Sequence, residues 1–473
     1  MLIGRKSEQK ILKDALNSTK AELIVIYGRR RVGKTFLVRK TYKKYIKFEF
    51  SGMYNASLKM QLKNFHLKLS EKKGNFYKPE SWTDAFHQLG KYIDTLKSKK
   101  KVIFIDEFPW LDTAKSNFLS AFDYFWNNYA SKKNNLKIVV CGSSASYMVQ
   151  KIINNKGGLH NRMTEIIQLL PFNLYETELF LKKHKIDFTR YDIVRLYMVT
   201  GGVPFYLEKI KPNESLAQII DRLCFSRNGF LRNEFKNIFA SLFKYHENHS
   251  EIVRILAKIR KGLTRNDILE KSKLKSGGTL TKTLTELELS GFIEKYLPYK
   301  GKKDALYRLT DEYSAFYLKF IENSKPAKSG YWLKIHGKQS YKIWSGFAFE
   351  TICIKHIDQI KKGLNISGIH TEQGSWVEKN NKQGAQIDLL IDRDDNVINI
   401  CEIKFYDTYF AINKKYADEI RNKINVFKSI TETRKNIFVT MITSYGIRHN
   451  KYSHQLTVNE LNIDNLFDET QNL

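Results

Sequence analysis

Acidic residues are scarce in this chain. Only 49 Asp and Glu stand against 80 Lys and Arg in 473 residues, which leaves a formal charge of +31 and a pI of about 9.6. A surplus of that size argues for an anionic partner, nucleic acid before membrane. A generally lysine-rich proteome gives the same balance, and charge alone leaves that alternative open. Cysteine is scarcer still: Cys141, Cys224, Cys353 and Cys401 lie far apart and form no CxxC pair. Two of them sit in apolar strand-like runs, so the expectation is buried thiols in a reducing cytosol. No apolar run approaches the ~18 residues of a membrane span. The opening MLIGRKSEQK carries no apolar signal core, so the expectation is a soluble, cytoplasmic chain with no membrane partner. Internal repeats and low-complexity segments are also absent.

What is present is material for cores, with 42% hydrophobic and 13% aromatic residues and a length suited to roughly three domains of ~150 residues. Residues 1–175 alternate β-rich runs (AELIVIYG, KFEFSG, KVIFIDEF, LKIVVCGSS) with helical stretches, the pattern of a parallel α/β sheet. Residues 176–245 read as helical, broken at Gly201-Gly202-Val203-Pro204. Residues 246–325 read as helix, short helix, helix and hairpin. A basic, polar connector near 323–330 follows. Residues 335–473 then read as a helix over 341–360, strands near 368–378, 386–392 and 397–405, a helix near 414–430, and the strand IFVTMIT.

The motif GRRRVGKT fits GxxxxGK[ST] and stands between the strand LIVIY and the helical run FLVRKTYKKY. Gly28, Arg29, Arg30, Arg31, Val32 and Gly33 form a loop whose backbone N–H groups can wrap a phosphate at a helix N-terminus. Lys34 would reach the β- and γ-phosphates of ATP, and Thr35 would ligate Mg²⁺. Downstream, KVIFIDEF is an apolar strand ending in two adjacent acids. Asp106 would complete the Mg²⁺ shell, and Glu107 would polarise the attacking water. In IVVCGSS, Ser143 and Ser144 would sense the γ-phosphate from the neighbouring strand, although Gly-Ser-Ser is also ordinary turn chemistry.

With these motifs, the segments GRKSEQKILKDAL, YGRRRVGKT, FIDEFPWL, CGSSASYM, LHNRMTEIIQLLPF and TGGVPFYL resemble the archaeal-type ATPase family, AAA+-related and STAND-like P-loop proteins. The resemblance covers about residues 1–240 and extends into the C-terminal region that accompanies this ATPase. It implies that Arg162, in HNRMTEI, is an arginine finger or inter-subunit sensor in a homo-oligomer, with a surface arginine or a structural salt bridge as the alternatives. It also implies that the Gly-Gly-x-Pro segment begins a lid helix.

The order EIVRILAKIRKG, TRNDILEKS, SGGTLTKTLTELELSG, then FIEKYLPY paired with ALYRLT across a basic turn at Lys300–Lys303, resembles a winged helix-turn-helix. The third segment would start after Gly277-Gly278, bury Leu280, Leu284, Leu287 and Leu289, and end at Gly291. Such a helix enters a major groove while the wing's lysines touch phosphates. Winged helices in ATPases also serve as protein contacts.

The stretch GAQIDLLIDRDDNVINICEIKF carries charges inside apolar strands, costly unless something pairs with them. Alternation puts Ile398, Ile400, Glu402 and Lys404 on one face. A hairpin turning at Asp394-Asp395-Asn396 brings Asp388 towards Glu402, and Glu350 on the preceding helix approaches the same point. Carboxylates so gathered suit Mg²⁺, with Lys404 beside the attacked phosphate. The order helix, strand, strand with Asp, strand with E-x-K, helix, strand resembles the αβββαβ core of the PD-(D/E)xK phosphodiesterases. Here Ile387-Asp388 replaces the Pro-Asp dipeptide. Gln383 and Gln386 are candidates for orienting substrate. The alternative is a buried Asp/Glu–Lys network that locks the hairpin without catalysis. His356 and His370 lack metal-ligand spacing and read as ordinary polar or core histidines.

The fold class expected is therefore multidomain α/β: a P-loop AAA+-like parallel sheet with a helical lid, a winged helix, and a C-terminal PD-(D/E)xK-like domain. The function expected is an ATP-hydrolysing, Mg²⁺-dependent protein that acts on nucleic acid, DNA in the first place. The alternatives are a nucleotide-switched DNA-binding or signalling ATPase with an inert nuclease-like domain, and a chaperone-like regulator of protein partners.

Overall fold

A computed structural model describes residues 2–154, 159, 161–259, 261–274, 277–299, 304–325, 330–378 and 384–469. The turn Lys300–Lys303 and Gln383 lie outside the described residues. The chain divides into two compact units, Met1–Pro171 with Ser241–Lys244, and Phe172–Ala240 with Tyr245–Leu473.

The first unit is built on five parallel strands: β1 (Glu22–Tyr27), β2 (Ile46–Ser51), β3 (Lys101–Asp106), β4 (Leu136–Gly142) and β5 (Glu165–Gln168). Their spatial order is β2-β3-β4-β1-β5. Every residue of β3 and β4 is buried, as expected of parallel strands covered on both faces. One face packs Val25, Ile103, Ile105 and Val140 against Phe65, Trp82, Phe86 and Phe118 from three helices. The other packs Ile26, Phe104 and Val139 against Leu37 and Val38 of α1 (Lys34–Tyr42). The sheet therefore holds the C-terminal ends of β1, β3 and β4 rigidly side by side, where the loop after each strand places a motif.

In the second unit, the helical region opens with Leu174–Lys183 and Arg190–Thr200. The break at Gly201-Gly202 is real: Gly202 has φ +66°, and a Cβ there would lie 2.0 Å from the carbonyl oxygen of Phe172. Next come α2 (His246–Lys258), β6 (Leu263–Thr264), α3 (Arg265–Lys271), α4 (Gly277–Leu289), β7 (Ile293–Tyr296) and β8 (Leu306–Leu309), the last two antiparallel. The helix α4 starts at Gly277 itself, and it buries Leu280, Leu284 and Leu287 but only partly Leu289. The short β6 also joins this hairpin, pairing with β8.

The C-terminal sheet follows α5 (Gln339–Lys355) and contains β9 (Thr371–Glu378), β10 (Ala385–Arg393), β11 (Val397–Lys404), β12 (Asn436–Thr443) and β13 (Thr457–Asn462), in the order β13-β12-β11-β10-β9. The strands β9, β10 and β11 are antiparallel, whereas β12 runs parallel to β11 after the crossover helix α6 (Lys414–Thr431). Phe427 of α6 packs on Leu390, Ile398 and Ile400. The helix expected over 341–360 is broken in two at His356, and a second helix runs Ile357–Gly363. The cause is local. The buried imidazole donates through Nδ1 to the Ile352 carbonyl at 2.8 Å and accepts at Nε2 from the Leu174 N–H at 3.1 Å. Burial holds it neutral, with its pKa lowered to about 4. His356 is thus a core histidine that satisfies an otherwise orphaned helix N-terminal donor.

Among the described residues, no helix is long and apolar enough to cross a membrane. All four cysteines are free and buried.

Candidate nucleotide site and C-terminal carboxylates

The loop Gly28–Gly33 joins β1 to α1. Gly28 has φ +150°, and a Cβ there would meet the Leu169 carbonyl oxygen at 2.2 Å, so only glycine fits this close approach. Gly33 caps α1 at φ +95°, with nothing within 4 Å of where its Cβ would stand. The open space and the helix N-terminus together make a cradle for an anion. Lys34 is buried and donates to the carbonyls of Gly28 at 2.7 Å and Arg29 at 3.0 Å. Burial lowers its pKa, and the nearby Glu107 and Asp106 carboxylates oppose that shift. Its ammonium is held on the rim of the loop, within reach of a phosphate seated there. Arg30 stacks over Trp110 at 5.8 Å, and Arg29 is buried.

Thr35 donates its hydroxyl hydrogen to Asp106 Oδ2 at 2.7 Å, and Asp106 Oδ1 accepts the backbone N–H of Glu107 at 3.0 Å. The structure thus places the two oxygens expected to share a cation side by side at the end of β3. Glu107 itself is left-handed, with φ 46° and ψ 46°, a conformation uncommon for a residue with a side chain and often found at functional sites. It leans on β4: Ser143 Oγ donates to Glu107 Oε2 at 2.7 Å, and the Ser143 N–H reaches the same oxygen at 3.3 Å. Ser143, expected to sense the γ-phosphate, here donates to this acid. Arg162 is exposed in the turn before β5 and has no side-chain partner among the described residues.

In the C-terminal sheet the alternation of β11 holds. Glu402 is buried, 4% exposed, and faces α6. Lys423 Nζ donates to its Oε1 at 2.6 Å, and the Tyr416 hydroxyl donates to its Oε2. Lys404 lies over the Tyr416 ring at 4.9 Å. Burial, followed by the Glu402 charge, raises the Tyr416 phenol well above its ordinary range, and Asp388 adds to the shift. Both carboxylates therefore bear on the same phenol. Asp388 accepts from Gln386 and sits at a bulge, where β10 carries one residue more than β9 between Ile387 and Leu390. Bulges re-aim side chains, and Asp388 lines a cavity together with Gln386 and Glu350. Among the described residues, no group of three or more His, Cys, Asp or Glu gathers at cation-holding spacing. His370 pairs at the surface with Asp394 at 3.1 Å.

Two residues of this cluster escaped the sequence reading, Tyr416 and Lys423. They stand seven apart on α6, the spacing of one helix face, and that spacing was the available signal.

Residues 2–210 match the model of an ATPase domain predominantly from Archaea. A protein of Methanocaldococcus jannaschii recorded as uncharacterized is 29% identical over 416 residues, spanning 86% of this chain and 88% of its own length. Among solved structures, the Walker-type ATPase of Pyrococcus abyssi is similar at 17% identity and a TM-score of 0.49, covering 67% of this chain and 96% of that one. The Aeropyrum pernix ORC2 protein is similar at 14% identity and a TM-score of 0.45, covering 75% and 96%. The N-terminal part of the chain is therefore similar to an archaeal-type ATPase domain.

Proposed function

We propose that the chain is an ATP-hydrolysing, Mg²⁺-requiring protein that acts on nucleic acid, DNA in the first place, through a C-terminal domain resembling the PD-(D/E)xK phosphodiesterases. The domains of this reading are an ATPase core over 1–175, a lid over 176–245, a winged helix over 246–325 and the nuclease-like domain over 335–473. The observation that carries the ATPase half is the adjacent pairing of Thr35 with Asp106 and Glu107 with Ser143.

When ATP binds, Lys34 exchanges its loop carbonyls for phosphate oxygens, which favours its charged form. Thr35 and Asp106 are the residues that would hold Mg²⁺, which supplies charge neutralisation at the transferring phosphoryl group. Glu107 turns from Ser143 to orient water. Arg162, exposed, is available to a neighbouring copy of the chain in a homo-oligomer.

In the C-terminal domain, Asp388 and Glu402, with Glu350 nearby, are the residues that would hold a cation. Mg²⁺ is ordinarily held by one or two carboxylates plus substrate phosphates, so a gathered triad is not required. Lys404 would steady the attacked phosphate. The second reading, an inert domain that serves as a platform, is favoured by one specific observation: Lys423 and Tyr416 already satisfy both oxygens of Glu402.

Incubating plasmid with the protein and Mg²⁺, with and without ATP, tests this proposal. The expected result is nicking or cutting that Asp388→Asn and Glu402→Gln each abolish while ATP hydrolysis continues. These variants are preferable to alanine because Glu402→Gln keeps the side-chain volume and one acceptor oxygen. No cleavage with any metal or nucleotide would leave the inert-platform reading.

A further inference from the structure

We infer that a cavity of about 910 Å³ in the second unit binds a nucleotide unit, presented by a single nucleic-acid strand or as free nucleotide. It rests on the reading of the chain as a nucleic-acid binder, and it does not depend on cleavage.

The cavity is walled by α2, the β7–β8 hairpin, the segment 310–323 that carries Lys319, α5 and the β9–β10 pair. Its volume lies at the upper end of the range of about 300–1,000 Å³ typical of small-ligand sites. Three of its lysines, Lys258, Lys261 and Lys319, are exposed and have no ion-pair partner among the described residues. The arginines lining it are already neutralised, Arg254 by Glu322 at 2.8 Å and Arg308 by Glu294 at 2.8 Å. The positive charge of the cavity without an ion-pair partner is therefore lysine charge, suited to phosphate as a point charge, in a cavity that Asp311, Glu312, Glu322, Glu350 and Asp388 also line.

Aromatic surface lies in the same space. Phe347 of α5 is 36% exposed, whereas Trp344 of α5 is 7% exposed and Arg308 already covers the Tyr296 ring at 4.5 Å. Ser375, Gln386, Asp388, Glu350 and Thr351 supply acceptors and donors for sugar hydroxyls and base edges. Phosphate-binding cations beside an exposed ring and edge-reading polar groups are the parts of a single-strand site. A duplex keeps its bases stacked inside and offers no ring face to such a wall.

The test uses the full chain with its P-loop saturated by a non-hydrolysable ATP analogue and a short fluorescein-labelled oligothymidylate followed by anisotropy. The wild-type protein should bind the strand. The Lys258→Ala, Lys261→Ala, Lys319→Ala triple variant should bind at least about tenfold more weakly, and its slope of log affinity against log salt should be shallower by about 2. Changing the same three lysines to arginine should restore binding. Because all three are exposed, ATP hydrolysis in the triple variant should be unchanged, which monitors folding. Competition by thymidine monophosphate at equal nucleotide concentration assigns the site to free nucleotide, and competition by unlabelled strand alone assigns it to nucleic acid. Three outcomes would overturn the inference: unchanged affinity and slope in the alanine variant, no binding of strand or mononucleotide, or stronger competition by a hairpin duplex. Loss of plasmid cleavage with strand binding intact bears on the nuclease reading alone.

Discussion

Lys34→Ala should abolish ATP hydrolysis, and Glu107→Gln should retain ATP binding while turning over at least about a hundredfold more slowly. The two variants differ because the residues do different work. Lys34 is buried in the loop and already bonded to two of its carbonyls, so its removal takes away both a phosphate ligand and a brace of the cradle. Glu107 touches neither the cradle nor the Thr35–Asp106 pair through its side chain, and its carboxylate is engaged by Ser143 instead. Glutamine at 107 can still accept from Ser143, so the loop should keep its shape while the general base is lost. Phosphate release measured beside binding of a fluorescent ATP analogue separates the two effects. Unchanged turnover in Glu107→Gln would remove this residue from its assigned role.

Lys423→Met should be the most destabilising single change at the C-terminal sheet. It leaves the carboxylate of Glu402, 4% exposed, without its counter-charge. Breaking a buried pair from one side costs about 3–5 kcal/mol, and the low end applies here, since Lys423 is 23% exposed and Tyr416 still donates. Removing both charges in Glu402→Gln with Lys423→Met should recover much of the loss, because no orphaned charge then remains. Urea titration of the two single variants and the double variant forms the cycle. If the double variant loses the full sum of the single effects, the pair is uncoupled and the account of Glu402 is wrong.

The parallel sheet of the first unit was legible because its strands are continuous apolar runs, which burial on both faces demands. The P-loop was legible because its glycines answer to backbone geometry rather than to distant contacts. The edge strand β5 was not legible: its four residues are too few for a continuous apolar run to mark it. The break at His356 depended on a partner at Leu174, far away in the chain, and periodicity carries no such information. Likewise, E-x-K spacing fixed the common face of Glu402 and Lys404. It did not reveal the bulge at Asp388 or the cation that α6 brings to Glu402, since both follow from how separate elements pack.

The most direct measurement on the account as a whole is equilibrium binding of the full chain to DNA across a salt series with ATP present. A chain of net charge +31 that uses its lysines and arginines on phosphates should lose affinity linearly in log–log form, by a slope near −0.9 for each phosphate contacted on a duplex and about −0.7 on a single strand. No binding, or an affinity indifferent to salt, would contradict the nucleic-acid reading and leave an ATPase whose partners are proteins.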